Sequence, residues 1–237
     1  MNFRSYNTRV LPANDSGSTT LGGQFAARVP IETLDHARDI GLSLLRTFAD
    51  RPSYVLGVTS ALPREGKTTI SLGLAEVMAT DFGLEVVLLD CNAERPWTPE
   101  MPSTDAESWN GLSDWLSDEC TVNEAIYQLH DKCSVIPFGT QSITSRDLLQ
   151  YLVKSDAFSN LRERFSLVLV DLPDLANPAA PALANLCDGL VLVLRSGDTP
   201  VDIVREFLPL LANVTIHGVV LNRHRPAVPA AIRNMFS

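Results

Sequence analysis

Three five-residue runs constrain this chain more than any other feature: VVLLD at 86–90, LVLVD at 167–171 and LVLVL at 190–194. None alternates apolar with polar, so each must be covered on both faces, as strands of a parallel sheet are. Val55–Thr59, Ser134–Pro137 and Gly218–Leu221 read as further strands, with helical stretches between. Thr121 and Glu124 form a capping box, and Thr199-Pro200 supplies an N-cap followed by proline at the first helical position. This alternation predicts an α/β fold. The sheet is doubly wound and mostly parallel, with helices on both faces in a Rossmann-like three-layer arrangement and right-handed crossovers.

Residues 1–29 are rich in Ser, Thr, Asn and Gly without apolar periodicity and read as a flexible arm. Leu34, Ala37, Ile40, Leu44 and Phe48 then recur at three- and four-residue steps, the apolar face of a helix ending near Arg51-Pro52. One sizeable domain is expected over 30–225, followed by a short tail, 226–237; a chain of 237 residues that is 45% hydrophobic suits a single core.

The loop after the first strand run carries chemistry. Residues 61–68, ALPREGKT, fit [AG]-x4-G-K-[ST] between a strand and a helix expected over 68–79. Gly66 lets the backbone approach phosphate oxygens, and the helix start aims amide donors at them. Lys67 is placed to reach the β- and γ-phosphates and the Thr68 hydroxyl to ligate Mg²⁺. Pro63, Arg64, Glu65, Gly66, Lys67, Thr68 and Thr69 are therefore candidate nucleotide-binding residues. Asp90 and Asp171 close two of the apolar runs, at carboxyl ends of strands, where open α/β sheets bind ligands. With Lys67 they are the catalytic candidates, and with Thr68 the metal candidates. One carboxylate can hold Mg²⁺ and the other orient or deprotonate a nucleophile.

Six stretches in order, TSALPREGKTT, EVVLLDCNAERP, GLSDWL, FSLVLVDLP, CDGLVLVLRSGDT and GVVLNR, resemble the bacterial tyrosine kinases. These are the cytoplasmic ATPase domains of polysaccharide co-polymerases, within the wider MinD/ParA-like P-loop ATPases. The resemblance covers about residues 30–225 and implies ATP or ADP and Mg²⁺ as ligands. It assigns Lys67 and Thr68 to Walker A, Asp90 to Walker A′, Asp171 to Walker B, and Asn222, with Arg223 beside it, to contact with adenine. It also implies exopolysaccharide work with a membrane co-polymerase, and a homo-oligomer.

The sequence departs from that family at named positions. Asn92 stands where the second Walker A′ acid belongs, and an amide is a very poor base. The four tyrosines are Tyr6, Tyr54, Tyr127 and Tyr151, so the C-terminal tyrosine cluster is missing. The ring-forming E-x-x-R-x-x-R signature aligns with Glu32, Asp35 and Arg38, an acid replacing the middle arginine. Arg64 replaces a common glycine. A kinase-like ATPase and a pseudokinase that uses nucleotide as a regulatory signal both fit these residues. A MinD/ParA-like positioning ATPase is disfavoured, since Leu62 occupies the place of its signature lysine.

Nineteen basic against 28 acidic residues give net −9, which argues against a nucleic-acid or anionic-membrane surface. No apolar run approaches bilayer-spanning length, and the start of the chain lacks the h-region of a secretory signal. A cytoplasmic protein without membrane insertion is expected, recruited to the membrane by a partner. Cys91, Cys120, Cys133 and Cys187 read as small hydrophobes, the histidines lack metal spacing, and Trp97, Trp109 and Trp115 read as core packing.

Overall fold

The computed structural model describes residues 9–10, 29–48, 51–97 and 109–223. Most of the expected arm, Tyr6 included, and the whole of the expected tail lie outside them. In chain order the elements are β1 (Arg9–Val10), α1 (Ile31–Phe48), β2 (Tyr54–Ser60), α2 (Lys67–Thr80), β3 (Val86–Asp90), α3 (Leu112–Leu116) and α4 (Val122–Ala125). They continue with β4 (Tyr127–His130), β5 (Cys133–Ile136), α5 (Ser145–Lys154), α6 (Ala157–Arg162) and β6 (Leu167–Asp171). α7 (Ala180–Ala184), β7 (Gly189–Arg195), α8 (Val201–Phe207), a 3₁₀ turn (Leu208–Leu211) and β8 (Thr215–Asn222) complete them.

The strands form one sheet in the order β1-β4-β5-β3-β6-β2-β7-β8. Every pairing is parallel except that of β4 with β5. β4 escaped the sequence reading because YQLH alternates buried with half-buried positions and pairs through a two-residue hairpin at the sheet's margin. The other strand expectations hold within one to three residues at each end.

Two apolar clusters account for the near-continuous runs. Val87, Leu89, Val168, Val170, Leu190 and Leu192 pack on one face, while Leu88, Leu167, Leu169, Val191 and Val193 pack on the other. Alternate residues of one strand thus enter different cores, and each buried Leu or Val contributes about 1.5–3 kcal/mol. α2 is apolar nearly all round because it lies between the sheet and α1, whose Ala37 and Leu44 are buried as the periodicity predicts. Leu34 and Ile40 pack beside them.

Cys91, Cys133 and Cys187 are buried and free, Cys120 half-buried and free. Trp97 is buried, Trp109 stacks on Tyr127 at 4.7 Å, and Trp115 packs against the core. Thr121 accepts the capping box, its N–H donating to Glu124 at 2.8 Å. The Thr199 expectation needs correction. α8 begins at Val201 after Pro200, and the Thr199 hydroxyl is diverted to the buried Glu65 carboxylate. Among the described residues no helix is long and apolar enough to cross a membrane.

Candidate functional site

β2 lies between β6 and β7, so the loop that follows it opens at the centre of the sheet's carboxyl edge. Arg64 (φ 65°) and Gly66 (φ 95°) both take the left-handed backbone conformation, curling the loop into a concavity of the kind that gathers main-chain N–H groups. α2 begins at once with Lys67, and the first-turn amides of any helix lack intrahelical acceptors.

A cleft of about 770 Å³ opens over this loop. Pro63, Arg64, Gly66, Lys67, Thr68, Thr69 and Leu72 form one wall. Asn92, Arg95, Pro96 and Trp97 face them from the turn after β3, and Asp174, Arg195 and Arg223 come from the ends of β6, β7 and β8.

Lys67, Thr68 and Asp171 meet at its base. The Thr68 hydroxyl donates to Asp171 Oδ2 at 2.6 Å, Lys67 Nζ lies 3.6 Å from Asp171 Oδ1, and Ser71 Oγ adds a longer contact at 3.4 Å. Asp171 is fully buried. Burial pushes its carboxyl above the usual range, opposed first by the Lys67 charge and then by the two hydroxyls. Hard oxygen donors suit Mg²⁺, which retains most of its waters and takes few protein ligands beside phosphate. Thr68 and Asp171 fit that requirement.

Asp90 closes β3 and pairs in register with Asp171 of β6, as the strand-end reading expects. Like Asp171 it is fully buried beneath the residues that line the cleft, its Oδ1 accepting the Asn92 N–H at 2.9 Å and its Oδ2 the Trp97 N–H at 2.8 Å. Burial, then the charge of Asp171, pushes its carboxyl well up, against those two amide donors. Asp90 here is the post around which the 92–97 turn is wound. Asn92 also serves that turn, its amide donating to the Arg95 carbonyl at 3.1 Å.

Glu65 turns away from the cleft. Its carboxylate accepts the Leu62 N–H at 2.9 Å and meets Thr199 and the Arg195 N–H on the far side, bracing the loop against the end of β7. Its carbonyl, in contrast, accepts Asn222 Nδ2 at 2.8 Å. Asn222 thus sits on the loop itself, and Arg223 follows with φ 57°. Pro63, Thr69 and Arg223 line the cleft as expected.

Besides Asn92, noted above only as a departure from the family motif, six lining residues went unnamed as site candidates: Leu72, Arg95, Pro96, Trp97, Asp174 and Arg195. Asp174 is half-buried and its carboxyl is pushed up by burial, with Lys67 the main opposing charge. The only sequence signal for it was its position three residues beyond Asp171. Pro173 fixes it, because its carbonyl accepts the Thr59 hydroxyl at 2.8 Å. In the ring-signature helix, Arg38 is bound by Asp35 at 2.8 Å and by Asp81 at 2.6 Å, within its own chain.

The family described as cellulose biosynthesis protein BcsQ matches residues 55–229. The succinoglycan biosynthesis transport protein ExoP of Rhizobium meliloti is 31% identical over 194 residues, 78% of this chain and 24% of that protein. The putative tyrosine-protein kinase EpsB of Ralstonia solanacearum is 27% identical over 216 residues, 88% of this chain and 28% of that one. The chain thus spans about a quarter of the length of these curated relatives. Among solved structures, the VpsO kinase domain superposes with TM-score 0.70 at 28% identity, covering 82% of this chain and 97% of its own. The kinase domain of the Escherichia coli tyrosine kinase ETK gives TM-score 0.74 at 22% identity, covering 95% and 94%. The cell division ATPase MinD of Pyrococcus furiosus gives 0.57 at 20%, covering 77% and 78%; these last two likenesses speak to the fold alone.

Proposed function

Since the chain belongs to the family described as cellulose biosynthesis protein BcsQ, and its domain resembles the tyrosine autokinases of exopolysaccharide production, we propose that it binds and hydrolyses Mg·ATP. The observation that carries this is the convergence of Lys67 and Thr68 on Asp171 beneath the left-handed turns of the loop. The loop amides and the start of α2 hold the phosphates, and Lys67 neutralises their charge. Thr68 and Asp171 would hold Mg²⁺, which would supply positive charge against that building on the phosphates during transfer. Asn222 holds the loop closed beside the base, and Arg223 stands at its rim. Asp90 acts through the 92–97 turn.

ATP binding and turnover, measured for the wild type and Lys67→Ala, test the reading. We expect at least a tenfold loss of affinity, about 1.4 kcal/mol or more, on removing the lysine. Equal binding by the variant overturns the reading.

Asn92 favours a second reading, in which nucleotide acts as a regulatory signal and no phosphoryl group reaches a protein acceptor. Its amide is committed to the Arg95 carbonyl and offers no base. Phosphotyrosine formed on the protein during incubation with ATP, and lost in Lys67→Ala, rules that reading out.

In either case the partner we propose is a membrane co-polymerase in exopolysaccharide synthesis or export, with the ATPase domain on the cytoplasmic side. Pull-down of a polysaccharide co-polymerase solubilised in mild detergent, with and without Mg·ATP, tests this; no capture under either condition counts against it.

A further inference from the structure

Only three non-glycine residues among the described ones have positive φ: Arg64 at 65°, Asp118 at 61° and Arg223 at 57°. Two of these three are arginines that line the same cleft. L-residues enter this conformation at a cost that glycine avoids, and such strain collects where a side chain is needed. Both guanidiniums are exposed, and neither has a hydrogen bond or ion pair with a described residue. Two other cations of the cleft are paired, Lys67 with Asp171 and Arg195 with Asp198, while Arg95 makes no ion pair with a described residue and lies near Asp174.

A third residue locks the two arginines together. Asn222 Oδ1 accepts the Arg223 N–H at 2.9 Å, while its Nδ2 donates at 2.8 Å to the carbonyl of Glu65, the residue after Arg64. One side chain therefore ties both left-handed turns together through its bonds to two backbone groups. Two forked cations rooted on backbones tied together beside a phosphate-binding loop suit a polyanion, because their main chain needs no rearrangement when it binds.

We propose that Arg64 and Arg223 are a preorganised pair that grips the polyphosphate chain of the nucleotide from the rim of the cleft, at the expense of backbone strain in the unliganded protein. This rests on the nucleotide reading above and adds a prediction that it does not make. The pair recognises charge, so inorganic tripolyphosphate, with neither base nor ribose, is also a ligand.

Glycine is the informative replacement, since it removes the guanidinium and relieves the strain. Calorimetric titration with Mg·ATP and with Mg·tripolyphosphate, at two salt concentrations, compares wild type, R64G and R223G, with Lys67→Ala alongside. Each glycine variant is expected to bind both ligands about 3- to 10-fold more weakly, with reduced salt sensitivity and an unchanged or raised Tm. R64K and R223K keep the charge but not the fork, and fall between. Glycine variants that match the wild type in affinity and salt response overturn the pair, as does a Tm that falls in step with affinity. A wild type that binds Mg·ATP through Lys67 while R64G and R223G are silent removes the pair alone. A wild type that binds neither ligand removes the nucleotide reading with it.

Discussion

Asn222 Nδ2 donates to the carbonyl oxygen of Glu65 at 2.8 Å, so the last strand of the sheet holds the phosphate loop directly. A Cβ added at Gly66 would lie 2.1 Å from that same Nδ2, in a backbone conformation (φ 95°) that side chains rarely adopt. Strand end and loop are therefore fitted to each other at one glycine.

Substitutions on the two sides of this contact should act alike. Asn222→Asp keeps the size but sets a carboxylate against a carbonyl, losing a hydrogen bond and adding repulsion. The expected cost is about 1–3 kcal/mol, seen as a nucleotide affinity about 5- to 150-fold lower in titration. Gly66→Ala has to displace Asn222 and strain the loop, and should abolish measurable binding. Wild-type affinity in either variant contradicts this account of the loop.

Asn92→Asp restores the acid that the bacterial tyrosine kinases carry, yet the structure predicts a penalty. The Asn92 amide donates to the Arg95 carbonyl at 3.1 Å, a bond a carboxylate cannot make. Loss of about 1 kcal/mol should lower Tm by about 2–4 °C in a domain of this size. Thermal unfolding checks the penalty, and ATP turnover by the same sample shows whether the added acid contributes a base.

Lys67 and Asp171 form a buried pair, with side chains 8% and 0% exposed, so removing one partner costs more than the pair is worth. Lys67→Met leaves the Asp171 charge with only hydroxyl donors, at an expected cost of about 3–5 kcal/mol when that carboxylate is ionised. The folded variant holds its Asp171 proton above the pH at which the unfolded chain releases it. Its deficit is therefore small at low pH and grows as pH rises through the folded-state pKa. Tm measured for variant and wild type from about pH 4, the unfolded carboxyl's range, to neutral pH should diverge as pH rises; a constant gap across it contradicts the pairing.

The parts legible in the sequence were those encoded by local pattern. VVLLD, LVLVD and LVLVL could only be strands covered twice, and Gly66-Lys67-Thr68 could be placed without any coordinates. What escaped depended on which way a side chain turns. Glu65 looks like a lining residue by position, yet its carboxylate is held by Thr199 and by backbone amides behind the cleft. Asp174 and Arg195 reach the cleft from strand ends that only the β6-β2-β7 order brings beside the loop. That order, and the antiparallel β4, are properties of pairing between distant segments and leave no mark at short range.

Gly189 of β7 lies between Tyr54 on β2 and His217 on β8, whose Oη and Nε2 meet at 2.7 Å across it. A Cβ there would come within 2.2 Å of Nε2 and 2.7 Å of the hydroxyl, so the missing side chain is what lets the two meet. Burial, then the nearby charge of Arg51, lowers the His217 pKa below its ordinary 6.5. The folded protein therefore holds His217 neutral while the unfolded chain takes up a proton as pH falls through about 6.5. Stability from this site is complete above that pH and declines as pH falls from 6.5 toward the folded-state pKa. His217→Gln lacks the titrating ring, so the Tm difference between wild type and variant should shrink from pH 8 to pH 5.5. Gly189→Ala should cost about 1–3 kcal/mol by forcing the Tyr54–His217 contact apart, and should flatten the same pH dependence. A Tm difference that stays constant across the range would show that His217 titrates alike in both states.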